Sequence, residues 1–451
     1  MINYENLKCR INPYQQFQLA HNPFSIAPLF KEFKKTSDCQ KEENLFVFPL
    51  DQNEEAKILL SGYNQRILVY GLYGVGKTSF VDFILYLAYN FHKRFATRVV
   101  IAQDNLEKAI HEILVSLCFD VISEIDRKSL FHPLIAIRKW IAGERHMDTL
   151  MGYLQKLLGK YTETSEKIEK KATHKKIGGN IPILKGELSY EAEMETRRSL
   201  QTYVETLTLR QIAEYLSDIL KIVRFLGFDD IIVFVDEADH IQDVQAFLKL
   251  LTRSREVLFT SGYTFFIAGS LQLAKYTEAM GAIFDKLLFL KPATFESLKI
   301  ILNQRIQAIN PKLTTNDIFN EEVLEEIFNR SKGVRKQALR LSEQALEKAA
   351  IENCAKVKEK HLMQVLQTSY DEVALELSLS QSKLLNCLAN DGSMSPSDST
   401  LQKKLKLKRT QLRDLLEDLW KKGYVHKEKK GRTCLYTISA QYKPYFASSQ
   451  I

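Results

Sequence analysis

Hydrophobic and polar positions fall into two regimes that change near residue 292. From 56 to about 292, short apolar runs alternate with stretches of helical spacing. The strand-length runs are Ile67 to Tyr70, Arg98 to Ala102, Ile231 to Val235, Phe265 to Ala268 and Lys286 to Leu290. Runs apolar on both faces mark strands covered on both sides, so five of them separated by helices predict an α/β unit with a five-stranded parallel sheet. From 293 to 370 the strand signals vanish, and FESLKIILNQRIQAI, NEEVLEEIF, GVRKQALRLSEQALEKAA and KEKHLMQVLQ read as a small helical bundle. From 371 to 451 the pattern is three helices, SQSKLLNCLA, STLQKKLKL and KRTQLRDLLEDLWKKGYV, then two strands in HKEKKGRTCLYTIS joined at Lys430-Gly431. On the third of these helices Leu412, Leu415, Leu416 and Leu419 take the core-facing spacing.

Two segments stand outside this alternation. Residues 1 to 55 form an aromatic-rich lead-in, in which Asn22-Pro23 of HNPFSIAPLF predicts a turn rather than a helix. An insertion of about 103 to 225 separates the second and third strands. Within it LSYEAEME, 188 to 195, alternates apolar and polar residues after a glycine-bearing stretch, which predicts a projecting hairpin. Its upstream flank EKIEKKATHKK, 166 to 176, reads as a solvated helix face, and a helical stretch from about Arg197 to Phe225 leads back to the third strand.

The first strand runs into RILVYGLYGVGKTS, 66 to 79, which matches G-x-x-x-x-G-K-[ST] in full. Glycines there turn successive amide N–H groups onto a phosphate, and the following helix adds its positive end. Gly71, Gly74, Val75, Gly76, Lys77, Thr78 and Ser79 are therefore the expected nucleotide-binding set: Lys77 reaches the β- and γ-oxygens, and Thr78 holds Mg²⁺. ATP is the expected ligand. GTP fits the same loop, although no Asn-Lys-x-Asp string occurs.

A metal-binding acid is expected elsewhere in such a site, and VFVDEADHI at 233 to 241 provides it. Asp236 ends the third strand where it can hold Mg²⁺, and Glu237 can take a proton from an attacking water. The letters DEADH also match a helicase box. A helicase reading is disfavoured, because Asp236 follows Lys77 by 236 − 77 = 159 residues and TFFIAGS ends in Gly269 and Ser270 where Ser-Ala-Thr would stand.

Composition limits the remaining choices. A chain of 451 residues is expected to hold about three domains. Six cysteines without paired spacing indicate neither a zinc site nor a disulfide framework, and no apolar run exceeds strand length, so a cytoplasmic protein without a membrane span is expected, nucleoid-associated if prokaryotic. Between 401 and 432 there are 12 basic and 4 acidic residues, and 12 − 4 = +8 equals the formal excess of the whole chain. Charge concentrated in this way is an electrostatic footprint for phosphate. Lys408, Arg409, Thr410, Gln411 and Arg413 are the expected contacts of a recognition helix with duplex DNA, and Lys427, Lys429, Lys430 and Arg432 those of a wing. Such a unit also docks proteins, so a protein partner or self-association is the alternative.

Taken together, the loop at 71 to 78, the acid pair at 236 and 237, the polar residue Ser270 ending the next strand, and Gly333 followed by Arg335 and Lys336 resemble the AAA+ ATPases of the origin-recognition and replication-initiator type. The C-terminal segment, about 375 to 446, resembles a winged helix. The resemblance implies an AAA+ core over 56–292, a helical lid over 293–370 and a winged-helix domain over 371–451. It also implies that Ser270 orients the attacking water and that Arg335, or Lys336 in another register, reports the γ-phosphate. One departure stands out. Where a trans-acting arginine is usual, EAMGAIFDKLLFL has only Lys286; Arg253 and Arg255 are the nearest substitutes. An arginine finger supplies several kcal/mol of transition-state stabilisation, so its absence implies slow hydrolysis and a nucleotide switch.

Overall fold

A computed structural model describes residues 12–47, 59–60, 62–100, 112–121, 123–124, 208–236, 238, 249, 251–252, 262–269, 271, 283–430, 433–439 and 442–446. The expected hairpin at 188–195 and basic flank at 166–176, together with Glu237, Arg253, Arg255, Ser270 and Arg432, lie outside the described residues.

The described strands of the first unit are β1 (Arg66–Tyr70), β2 (Arg94–Val100), β3 (Asp230–Asp236), β4 (Tyr263–Gly269) and β5 (Lys286–Phe289). They form one parallel sheet in the order β2-β3-β4-β1-β5. Every residue of β3 and β4 is buried, as expected of central strands covered on both faces. The second strand begins four residues earlier than the pattern indicated, at Arg94 rather than Arg98. Arg94 is wholly buried: its Nε donates to Asp230 Oδ1 at 2.8 Å, and an Nη2 donates to Thr264 Oγ1 at 2.9 Å. A charged strand start is tolerated there because its partners on β3 and β4 satisfy it.

Helices follow in chain order. They are α1 (Thr36–Glu43), α2 (Lys77–Phe91), α3 (Leu209–Phe225), α4 (Phe295–Ile309), α5 (Thr315–Ile318), α6 (Glu321–Ser331), α7 (Arg335–Ile351), α8 (Glu359–Leu375), α9 (Leu379–Asp391), α10 (Ser399–Leu405), α11 (Arg409–Lys421) and α12 (Lys443–Phe446). A capping box at Thr208, whose side chain pairs with Gln211, starts α3 inside the stretch expected to be helical. Among the described residues no helix is long and apolar enough to cross a membrane.

Two hydrophobic cores are seen among the described residues. The first packs α2, α3 and the helical stretch at 112–121 on the sheet, with Phe30 and Phe33 of the lead-in. The second runs without a break from the lid helices into the winged helix, joining Leu302, Leu346, Leu366, Leu388, Leu416 and Phe446. Helix α8 continues past residue 370 to Leu375, and its Tyr370 packs on Phe446 with ring centroids 5.1 Å apart. In the C-terminal unit β6 (Val425–Lys430) and β7 (Thr433–Ile438) pair antiparallel, and a bridge from Met394 to Tyr436 adds a third line of pairing. Leu412, Leu416 and Leu419 are buried and Leu415 is half-buried, so α11 packs on the face its leucine spacing indicated.

Candidate nucleotide site and winged-helix surface

Because the strands run parallel, the carboxyl ends of β1 and β3 open on the same edge of the sheet, where ligands of such sheets bind. The loop after β1 carries Gly71 to Gly76, and α2 begins at Lys77. Asp236 ends β3, and its carboxylate lies 3.1 and 3.2 Å from Thr78 Oγ1. The two residues expected to hold Mg²⁺ are thus brought together from positions 158 apart in sequence. A hydroxyl beside a buried carboxylate is a donor set suited to a hard cation, and Mg²⁺ bound there would supply charge to a phosphate chain. Lys77 Nζ folds back on the loop, donating to Gly71 O at 3.1 Å and Leu72 O at 3.3 Å.

A cavity of about 260 Å³ lies over this loop, lined by Gly74, Gly76, Lys77, Thr78 and Ser79, by Asp236, and by residues of the lid and lead-in. Gly71 and Val75 are not among its lining residues. The lid roofs it directly. Arg335 Nη1 donates to Val75 O, and Lys336 N donates to Gly74 O at 3.0 Å. Lys336 Nζ also bonds Tyr73 Oη at 3.0 Å and lies 4.9 Å from that ring's centroid. Gly74 permits this approach: its φ is 78°, and a Cβ there would stand 2.9 Å from Lys336 Cβ.

Several residues of the cavity carried no expectation. Arg98 on β2 spans two carboxylates, with Nη2 2.6 Å from Asp236 Oδ2 and Nη1 2.9 Å from Asp82 Oδ2. Burial pushes the Asp82 carboxyl well above the usual range, and the Arg98 charge opposes that shift. Leu29 N donates to Ser79 Oγ at 3.1 Å, which ties the lead-in to the start of α2. Ile26, Ala27 and Pro28 then face the cavity across from Ile301, Arg305 and Leu339 of the lid. The Asn22-Pro23 turn expected from sequence is present: Asn22 Oδ1 accepts from Phe24 N at 3.1 Å.

On the winged helix, Lys408, Arg409, Thr410, Gln411 and Arg413 are all exposed at the amino end of α11. Gln411 Oε1 accepts from Lys408 N at 2.9 Å, so the amide caps the helix and keeps its NH₂ for other partners. Lys427 differs from a free wing cation. Its ammonium bonds Glu417 and lies 4.7 Å from the Trp420 ring centroid. Lys429 and Lys430 belong to β6.

Glu352, Cys354 and His361 bring possible metal-ligand atoms within 4.8 Å of one another at the junction of α7 and α8. His361 Nδ1 accepts from Lys358 N at 2.9 Å, which leaves the proton of a neutral ring on Nε2, 3.3 Å from Glu352 Oε2. Glu352 accepts from Lys360 and Gln364 and lies beside this ring, so the trio reads as a helix-end clasp, although His361 Nε2 itself makes no hydrogen bond among the described residues.

No family model matches the chain. A curated relative, an uncharacterized HTH-type transcriptional regulator of Methanocaldococcus jannaschii, is 22% identical over 219 residues, which are 47% of this chain and 53% of the relative. The match therefore spans about half of each. Among solved structures, the Walker-type ATPase of Pyrococcus abyssi aligns over 94% of this chain and 99% of its own, with 16% identity and a TM-score of 0.44. The Aeropyrum pernix Orc1 protein in complex with DNA aligns over 90% and 95%, with 14% identity and a TM-score of 0.41. The RuvB Holliday junction branch migration motor of Thermotoga maritima covers 90% and 99%, with 13% identity and a TM-score of 0.38. The phosphate loop on β1, the acid ending β3, the helical lid seated on that loop and the C-terminal helices with their hairpin give this chain a five-stranded parallel P-loop fold of AAA+ architecture, with a helical lid and a C-terminal winged helix.

Proposed function

We propose that the protein is an ATP-binding, slowly hydrolysing switch that binds duplex DNA through its winged helix in a nucleotide-dependent way. The observation that carries this reading is the lid. Its helix α7 begins on the phosphate loop, at Arg335 and Lys336, and its core continues into the winged helix. A change at the loop therefore reaches the DNA-binding unit through packed side chains.

Four of the cavity's cations, Lys77, Arg98, Arg335 and Lys336, suit a polyphosphate. Mg²⁺ and ATP, when bound, supply the cation charge and the phosphoanhydride bond. Lys77 would exchange its loop carbonyls for phosphate oxygens, Thr78 and Asp236 would hold the cation, and Glu237 would take the proton of the attacking water. Ser270 would orient that water, and Arg335 would leave Val75 O for the terminal phosphate and draw the lid with it.

The test is duplex-DNA binding by purified protein, titrated over salt with ADP or a non-hydrolysable ATP analogue. About six phosphate contacts give a log–log slope near roughly −5. Affinity that differs between nucleotides supports the switch. Lys77→Ala is expected to lose nucleotide binding by calorimetry, and Glu237→Gln to bind ATP without turning it over; unchanged steady-state hydrolysis by the latter removes Glu237 from its role.

A second reading makes the winged helix a protein dock in a signalling or defence ATPase. It is favoured by the ion pairs Lys427–Glu417, Lys422–Asp418 and Lys404–Asp391, which engage three of the domain's lysines with acids of the same domain. Salt-insensitive or absent DNA binding in both nucleotide states, with an oligomeric state that changes on ATP addition, would select it.

A further inference from the structure

Arg305 is a buried cation without a buried anion. Its residue is 6% exposed, on the face of α4 turned to the cavity. Nη1 donates to Ser25 O at 2.7 Å, but Nε is buried and has no partner among the described residues. Among the described residues no carboxylate offsets the charge, and burial pulls the guanidinium down to about 10, still protonated at neutral pH. Leaving such a donor unsatisfied is costly, and a carbonyl on one nitrogen does not remove that cost. A guanidinium is only a donor; Nε is closed off even from water, so Nη2, which has no hydrogen bond among the described residues, is the nitrogen left to meet an acceptor that enters the cavity.

Position within the cavity says which acceptor. The phosphate end is fixed by the loop, by Thr78 and by Arg335. Leu339 lies one helical turn past Arg335, and Ile301 one turn before Arg305; with Ile26, Ala27 and Pro28 they make the other end apolar. A nucleotide held by its phosphates at the loop would place its flat, apolar-faced base in that end, beside Arg305. Purine edges carry acceptors: N1, N3 and N7 in adenine, and N3, N7 and O6 in guanine.

We propose that Arg305 is a specificity residue of the cavity, donating to an acceptor on the edge of a purine base. The inference rests on the nucleotide reading above and names what recognises the base. It also explains why the lead-in matters, since Ser25 O holds the guanidinium on its other side and sets its direction.

The test is calorimetric titration of the full chain and of Arg305→Gln with Mg²⁺·ATP and with Mg²⁺·ribose 5-triphosphate, which lacks the base. Glutamine keeps one N–H donor for Ser25 O. The expected result is a loss of about tenfold or more for ATP, with ribose 5-triphosphate within about twofold of wild type. Equal losses for the two ligands, or no loss for ATP, overturn the proposal and reduce Arg305 to an anchor of the lead-in. If Arg305→Gln lacks the wild-type thermal transition, Arg305→Lys is read by the same ratio. Wild-type protein that binds neither ligand overturns the nucleotide reading, and this inference with it; a parallel loss in the variant overturns this inference alone.

Discussion

At the scale of single residues, the site turns on how few buried charges stand alone. Asp236 and Asp82 lie on either side of Arg98, and Asp82 Oδ1 and Arg98 Nε are buried without hydrogen-bond partners among the described residues. Arg98 thus holds two carboxylates together in low dielectric, next to the residue expected to take Mg²⁺. Breaking a buried pair by removing one partner leaves uncompensated charge. Arg98→Met is therefore expected to destabilise the ligand-free protein by about 2–4 kcal/mol, discounted for the partial exposure of the guanidinium. Mg²⁺ with ADP would return part of that loss, since the cation replaces the missing charge at Asp236. Thermal denaturation with and without Mg²⁺·ADP checks this. A variant that melts like wild type in both conditions would show that the two carboxylates do not need Arg98.

Elements show where local pattern was sufficient. The loop at 71 to 78, the strands that bear it and its acid, and the leucine spacing of α11 were legible because each depends on neighbours within one turn or one strand. Strand β2 was misplaced by four residues for the opposite reason. Arg94 and Arg98 look like solvated positions until Asp230, Asp82 and Asp236 arrive from elsewhere in the fold. Arg305 and the cavity-facing lead-in were illegible for the same cause: their partners, Ser25 and Ile301, are joined only by tertiary packing. The junction of α7 and α8 is another such clasp. Lys360 and Gln364 bond Glu352 and hold its carboxyl down at about 2, against an ordinary value of 4.5. A depressed carboxylate contributes stability that is present above the unfolded value and is lost as pH falls through the folded one. Stability of the lid is thus expected to decline between about pH 4.5 and 2, and Glu352→Gln to flatten that part of the profile. Melting curves across this range test it; identical profiles would assign the acid loss to other carboxylates.

For the whole molecule, the decisive feature is that lid and winged helix share one core while the lid also seats on the phosphate loop, where Pro444 and Tyr445 line a small cavity with Tyr73 and Gly74. Arg330 Nη1 reaches Pro444 O at 3.4 Å, Tyr424 bonds Glu376, and Gln381 Nε2 bonds Asp418 Oδ2 at 2.6 Å, so polar contacts reinforce the apolar joint. This joint does not say what the winged helix meets. Glu417 discriminates. It binds both Lys427 and Tyr436 and so removes one wing cation from the surface. Glu417→Gln keeps a hydrogen-bond partner for Tyr436 while freeing the ammonium. If the wing lies along a phosphate backbone, this variant should bind duplex DNA more tightly at low salt, with a log–log slope steeper by about 1, one more phosphate being neutralised. The gain should vanish at high salt, where counterion release no longer drives binding. A wing that docks protein gives no such gain, because one additional exposed lysine changes neither its apolar contacts nor their salt dependence. The slope therefore separates the two readings even if the wild-type affinity for DNA is weak, since it reports how many phosphates are met and not how well any sequence is read.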